Sequence, residues 1–255
     1  MAEKEDFLRA VSHDLNAPLR NIAGMASMIA TKYRNHIPED GLARLQRIEA
    51  NVEVETGLIN ELLELSRIKT RPEARTMVNF EALLEELHRA FEYELKAKSI
   101  ELAIRRPMPT LYVERNRLRQ VFQNLLDNAV KYMSDRPDGK IEIGHSIADG
   151  MHLFYVADNG PGIAPEDQER IFYVFRRAAT AIGLAGKGVG LALAKSIVSN
   201  YEGRIWVESE PGSGSAFYVA LSAECTRGPA ERSAHETADS TPECVAAGPS
   251  GRAEA

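Results

Sequence analysis

"DFLRAVSHDLNAPLRNIAGMASMIA" (6–30) decides how the first part of the chain folds. Leu8, Leu15, Ile22 and Ile29 recur every seven residues, and Val11, Pro18 and Met25 form the companion row. That pattern is the a/d seam of a bundle helix, sustained over about three heptads. "RNHIPEDG" (34–41) interrupts it with Pro38 and Gly41, as a connection between helices does. A second stripe follows at Leu45, Val52 and Ile59, widened by Leu42, Ile48, Leu62 and Leu65. Residues 1–70 are therefore expected as a helical hairpin. A hairpin makes only half a core. Pairing with a second copy completes a dimeric four-helix bundle, and lying on the downstream domain is the alternative.

"RPEARTMVNF" (71–80) reads as the linker, 71–79, with Pro72 closing the second helix. From 80 to 222 the patterns mix. The spacing predicts helices over 80–97, 116–133 and 188–201, and strands over 99–104, 140–147, 151–157, 204–208 and 216–221. That order suits an α/β sandwich better than a doubly wound sheet. Residues 224–255 hold no Leu, Ile, Met or aromatic residue. Nothing there offsets the ordering entropy, so a disordered tail is expected over 223–255.

Composition narrows the function. A net charge of −6 argues against a general nucleic-acid binder. No apolar run approaches the roughly 18–20 residues of a membrane span, and "MAEKEDFLRA" lacks the basic-then-apolar order of a secretory signal. Both cysteines, Cys225 and Cys244, lie in the tail, so no disulfide framework or thiolate metal site is expected. A reducing, cytoplasmic setting fits.

Within the heptads His13 falls at position f, turned away from the bundle seam. Ser12, His13 and Asp14 are not a hydrolase triad, because adjacent helical residues lie about 100° apart around the axis. Pro18 removes the hydrogen bond to the Asp14 carbonyl, predicting a kink and a weak point beside His13. For a purely structural helix that costs about 3 kcal/mol. An exposed imidazole at a flexible point suits a nucleophile that must enter another domain's active site.

Downstream, "RQVFQNLLDNAVKY" (119–132) places Asn124, Asn128 and Lys131 in one polar stripe. Such a stripe can offer an oxygen to Mg²⁺ and a cation to phosphate, or be a solvated face. "FYVADNGPGI" (154–163) runs a strand into Asp158, Gly160 and Gly162, either a ligand site or a hairpin turn. "GKGVGLALAKSIV" (186–198) sets glycines at 186, 188 and 190 before an apolar helix, where backbone N–H groups suit a polyphosphate. It is neither a Walker A loop nor a Rossmann fingerprint. "RRAATAIGLA" (176–185), small and aperiodic, has the character of a mobile lid.

Taken in order, these stretches resemble the catalytic core of the bacterial sensor histidine kinases of two-component signalling. "FLRAVSHDLNAPLR" (7–20) is similar to the phosphoacceptor box, "NLLDNAVKY" (124–132) to the N box and "DNGPGI" (158–163) to the first glycine box. "IFYVF" (171–175) is similar to the phenylalanine box, "GKGVGLAL" (186–193) to the second glycine box and "GSGSAFYVAL" (212–221) to the closing strand. The resemblance implies a homodimeric histidine-phosphotransfer hairpin followed by a Bergerat-type α/β ATP-binding domain. It makes His13 the phosphoacceptor and Asp14 its adjacent acid. Asn128 would hold Mg²⁺ with support from Asn124, while Lys131 and Tyr132 line the phosphate region. Asp158 would read the adenine amino group, with Gly160 and Gly162 allowing close approach. Arg177 would steady the γ-phosphate, and Gly186, Gly188 and Gly190 would give the lid its hinge and donors.

Three departures stand out. Ala17 occupies the site where dual-function members carry Thr or Asn, so weak phosphatase activity is expected. Lys187 replaces a small hydroxyl residue, where it adds a phosphate contact or faces solvent. Only twelve residues precede His13, so the sensor module is expected to be missing from this chain or supplied by a separate partner. The implied activity is ATP-dependent histidine phosphorylation and transfer to an aspartate of a response-regulator receiver domain. A dimeric scaffold or pseudokinase, and a conformational ATPase, are the competing readings.

Overall fold

The computed structural model describes residues 2–70, 72–133, 138–176, 188–222 and 225; the side chains of residues 2–13, 69 and 70 lie outside the described set. Helix α1 (Ala2–Lys32) runs unbroken through Pro18. One 3₁₀ turn (Arg34–His36) joins it to α2 (Glu39–Thr70). Among the described residues no helix is long and apolar enough to cross a membrane.

The hairpin buries a seam one residue round from the expected one. On α1, Ala26 is buried, and Asn16, Leu19, Ala23 and Ala30 are half-buried at the same 3-4-3-4 spacing. Their main packing partner is α2, whose Val52 is buried between half-buried Leu45 and Ile59. Small side chains let the two helices approach closely. The larger residues of the a/d row stay exposed: Leu15 (49%), Ile22 (43%), Met25 (55%) and Ile29 (41%). Ile48 and Leu62 on α2 are exposed as well.

Beyond the hairpin, β1 (Thr76–Asn79) opens the second region, inside the stretch read as linker. It pairs antiparallel with β3 (Thr110–Val113). Both four-residue strands escape sequence reading: β1 turns only Val78 inward, and the alternation of β3 is too short to stand out. Between them lie α3 (Phe80–Ala97), whose Asn79 side chain caps the first turn (3.0 Å), and β2 (Glu101–Ile104). Next come α4 (Arg115–Tyr132), β4 (Lys140–Ala148) and β5 (Met151–Asp158). Asp149 and Gly150, both at positive φ, form the two-residue turn between β4 and β5. The one-turn α5 (Pro165–Gln168), α6 (Gly190–Asn200), β6 (Arg204–Glu210) and β7 (Gly214–Ser222) complete the order.

The larger sheet runs β2-β4-β5-β7-β6, antiparallel except for the β2–β4 pair. Alternate residues of β5 are buried, so one face meets the helices. Phe80 of α3, Phe122 of α4 and Phe154 of β5 pack ring to ring at 4.6–5.9 Å and join helices to sheet. On the opposite face Trp206 stacks on Tyr218. The result is a two-layer α/β sandwich behind a helical hairpin.

The end of α2 belongs to that sandwich's core. Ile68 is buried within it and Leu65 packs on it. Asn200, ending α6, donates from Nδ2 to the Ile68 carbonyl (3.0 Å), satisfying one of the acceptors a helix leaves open at its C-terminus. Arg117, whose side chain is 8% exposed, meets Glu64 at 3.2 Å and Glu73 at 3.8 Å.

Candidate nucleotide site

Helix α4 buries Val121, Phe122, Leu125, Leu126, Ala129 and Val130. Its periodicity leaves Asn124, Asn128 and Lys131 half-buried along another face. Asn128 donates from Nδ2 to the Asn124 backbone carbonyl (2.9 Å), leaving its Oδ1 as the end able to meet a cation. The Asn124 Nδ2 is buried with no hydrogen-bond partner among the described residues. A buried donor left without a partner is uncommon in a folded protein and singles out this face of α4. Lys131 holds its ammonium 4.8 Å from the Tyr132 ring centroid.

At the end of β5 the chain does not turn back as a hairpin; it leaves the sheet toward α5. Asp158 Oδ1 accepts from the Gly160 N–H (2.8 Å), and the Ser215 N–H also donates to the carboxylate. Burial pushes this carboxyl up to about 6, against the lowering effect of those two donors. Asn159 anchors the loop by accepting from the Lys140 N–H (2.7 Å) and donating to the Asp138 carbonyl (2.8 Å). Gly162 sits at φ +73°, where a Cβ would stand 2.0 Å from the Glu210 carbonyl oxygen. Only glycine lets this loop lie on the β6–β7 turn.

Two contacts join the separate stretches into one site. A Cβ on Gly190 would stand 3.2 Å from Asn124 Oδ1, so the first turn of α6 lies against the α4 stripe. A Cβ on Gly160 would stand 3.6 Å from the Tyr132 carbonyl oxygen, so the Asp158 loop abuts the end of α4. Gly188, at φ +70°, accepts from the Phe175 N–H (2.9 Å). Arg177, Gly186 and Lys187 lie outside the described residues. In the phenylalanine-box stretch Ile171 and Phe172 are buried while Tyr173 and Phe175 are exposed.

The structure thus brings together Asn124, Asn128, Lys131, Tyr132, Asp158, Gly160, Gly162, Gly188 and Gly190. His13 and Asp14 stand apart from them on α1; the His13 side chain lies outside the described residues, and Asp14 is exposed. Sequence reading missed Lys98, whose Nζ donates to the Val130 carbonyl (2.8 Å) at the end of α4. No spacing links positions 98 and 130, so no pattern in the sequence signals it.

Comparison with known proteins places two families along the chain. Residues 3–71 match the His Kinase A (phospho-acceptor) domain family, and residues 113–224 match the histidine kinase-, DNA gyrase B- and HSP90-like ATPase family. The chain is 30% identical over 220 residues to the phytochrome-like protein Cph1 of Synechocystis, covering 86% of this chain and 29% of Cph1. It is 31% identical over 227 residues to the adaptive-response sensory kinase SasA of Crocosphaera subtropica, covering 86% of this chain and 59% of SasA. The chain therefore spans less than two thirds of either relative. Among solved structures, full-length ShkA in complex with AMPPNP superposes with a TM-score of 0.67 at 28% identity, over 85% of this chain and 45% of ShkA. The Acinetobacter baumannii histidine kinase AdeS gives 0.58 at 26% identity, over 83% of this chain and 98% of AdeS. With a phospho-acceptor hairpin matched in front and an ATPase-type sandwich behind it, the chain carries the catalytic core of a sensor histidine kinase.

Proposed function

We propose that the chain is an ATP-dependent protein-histidine kinase that phosphorylates His13 and passes the phosphoryl group to an aspartate of a response-regulator receiver domain. One observation carries the reading. Asn124, with its orphaned amide, lies against Gly190 while the Asp158 loop closes on the other end of α4. That leaves an amide-and-lysine face between a buried carboxylate and a helix N-terminus, the chemistry a nucleoside triphosphate needs. Asp158 accepts from the adenine amino group, and Lys131 and the first turn of α6 face the phosphates. Arg177 steadies the γ-phosphate, with Gly186 and Lys187 in the adjoining segment. The Asn128 Oδ1 suits Mg²⁺, which would neutralise phosphate charge and align it.

In the transfer, a ring nitrogen of His13 attacks the γ-phosphorus. The N–P bond forms as the bond to the bridging oxygen breaks, ADP leaves, and Asp14 takes up the ring proton. We assign residues 1–70 to the phosphotransfer hairpin, 71–79 to the linker, whose last four residues already pair with β3, 80–222 to the ATP-binding domain and 223–255 to a tail, whose Cys225 is buried in that domain's core rather than disordered. The exposed a/d row supports a homodimer through the hairpin, and dependence on ATP supports a cytoplasmic face. The absence of an amide or hydroxyl at Ala17 supports weak phosphatase activity.

Incubation with γ-labelled ATP tests the reading. Wild-type chain is expected to take up acid-labile, alkali-stable label on His13, and His13→Gln is expected to abolish it. Nucleotide binding without label would replace the kinase by a scaffold. Steady hydrolysis surviving His13→Gln would replace it by a conformational ATPase.

A further inference from the structure

Lys98 belongs to none of the stretches that make up the nucleotide site, yet it holds the helix that carries the polar stripe. It is the C-cap of α3. Its N–H donates to the Glu94 carbonyl (3.0 Å), Ser99 takes φ +54°, and the Ile100 N–H returns to the Leu95 carbonyl (2.9 Å). This left-handed reversal fixes the Lys98 backbone. From there the ammonium donates to the Val130 carbonyl (2.8 Å) and lies 3.5 Å from that of Lys131. Both are among the last-turn carbonyls that α4 leaves without intrahelical partners.

The position matters because α4 points its C-terminal end at the site. The next carbonyl, that of Tyr132, abuts Gly160 in the Asp158 loop. The last turn of α4 is therefore held between Lys98 on one side and the glycine loop on the other. Its open carbonyls carry the negative end of the helix dipole, which disfavours a polyphosphate nearby. A cation bonded to them offsets that field, and the bond ties the turn that follows Asn128 to the end of α3.

We propose that Lys98 is a positioning residue for the polyphosphate part of the nucleotide, acting through the last turn of α4 rather than by touching the ligand. The proposal rests on reading the α4 face as the phosphate side of a nucleotide site. It predicts an effect that depends on phosphate. A cap that served only to stabilise the fold would weaken every ligand alike.

The test is calorimetric titration of the full chain with MgATP and, separately, with adenosine. Wild type is compared with Lys98→Met, Lys98→Gln and Lys98→Arg, each checked by thermal unfolding. Lys98→Gln keeps an N–H donor without the charge and serves if Lys98→Met fails to fold. Lys98→Met or Lys98→Gln is expected to raise the Kd for MgATP about three- to tenfold, the size of one charge-assisted contact at a helix end. The adenosine Kd is expected to stay within about twofold, and Lys98→Arg to restore MgATP binding. Equal weakening of both ligands, or no change in either, overturns the role of Lys98. Wild-type chain that binds neither ligand overturns the nucleotide reading itself, and this proposal with it.

Discussion

At the scale of the residue, Asp158 shows a site held at some cost to the fold. Its carboxyl is pushed up to about 6 by burial, whereas in the unfolded chain it titrates near 3.8. The folded state thus binds the extra proton between those values. The group's contribution to stability is fully present below pH 3.8 and is lost as pH rises through 6. Nucleotide binding has the opposite dependence, because an amino group donating to Asp158 favours the carboxylate. We expect ATP affinity to fall as pH drops below 6. Asp158→Asn is expected to weaken ATP binding at least about tenfold. The same variant should be about 1–3 kcal/mol more stable than wild type in urea unfolding at pH 8. A variant that bound ATP normally and unfolded more easily would contradict both expectations. The residue was legible in the sequence as a strand-end aspartate before glycines. Its burial was not, because Ser215, which donates to it, lies on a strand far along the chain.

At the scale of the element, α1 carries two apolar rows and the single chain covers only one. Ala23 and Ala26 face inward while Leu15, Ile22, Met25 and Ile29 remain in solvent. Heptad counting finds the larger row easily, because large aliphatics dominate any such count. It cannot tell which row meets the neighbouring helix. Small residues won that place since they allow the closest approach, which leaves the bulky row uncovered by the chain itself, as the proposed homodimer requires. Ile22→Asp is expected to convert a dimer into a monomer in sedimentation at micromolar concentration, while the ATP-binding domain keeps its melting temperature. An unchanged mass would remove this row from the dimer interface. The strands β1 and β3 illustrate the converse: four residues each, stabilised by pairing across a distance, with too little local pattern to be read.

At the scale of the whole molecule, the two halves are clasped where α2 ends. Arg117 near the start of α4 binds Glu64 and Glu73, and Asn200 at the end of α6 caps Ile68. The same two helices carry the nucleotide site at their other ends: the α4 stripe runs to Lys131, and α6 begins at Gly190. At 1.5 Å per residue, His13 stands about 28 Å from the hairpin turn and Glu64 about 38 Å. The clasp therefore lies about 10 Å beyond His13 along the bundle. Arg117→Leu leaves two carboxylates facing each other across the joint. We expect it to cost about 1–3 kcal/mol, less than breaking a fully buried pair because both acids keep part of their hydration. Hydrogen exchange over residues 60–75 should accelerate, and ATP affinity should stay within about twofold. Unchanged exchange there would mean that the contact does not hold the halves together.

The sequence alone determined the periodic and local features: two long helices, an α/β region, a histidine on a proline-marked helix, and glycine-flanked polar stretches in a recognisable order. These follow from spacing along the chain and from residue-specific backbone preference, both of which can be read without knowing what lies opposite. Tertiary structure alone decided which seam of α1 meets α2, that Gly190 lies on Asn124 and Gly160 on Tyr132, and that Lys98, Arg117 and Asn200 brace the helices of the site. Those contacts join residues far apart in the chain. Packing selects them, since a hydrogen bond or ion pair forms only where the fold has already brought donor and acceptor within about 3 Å.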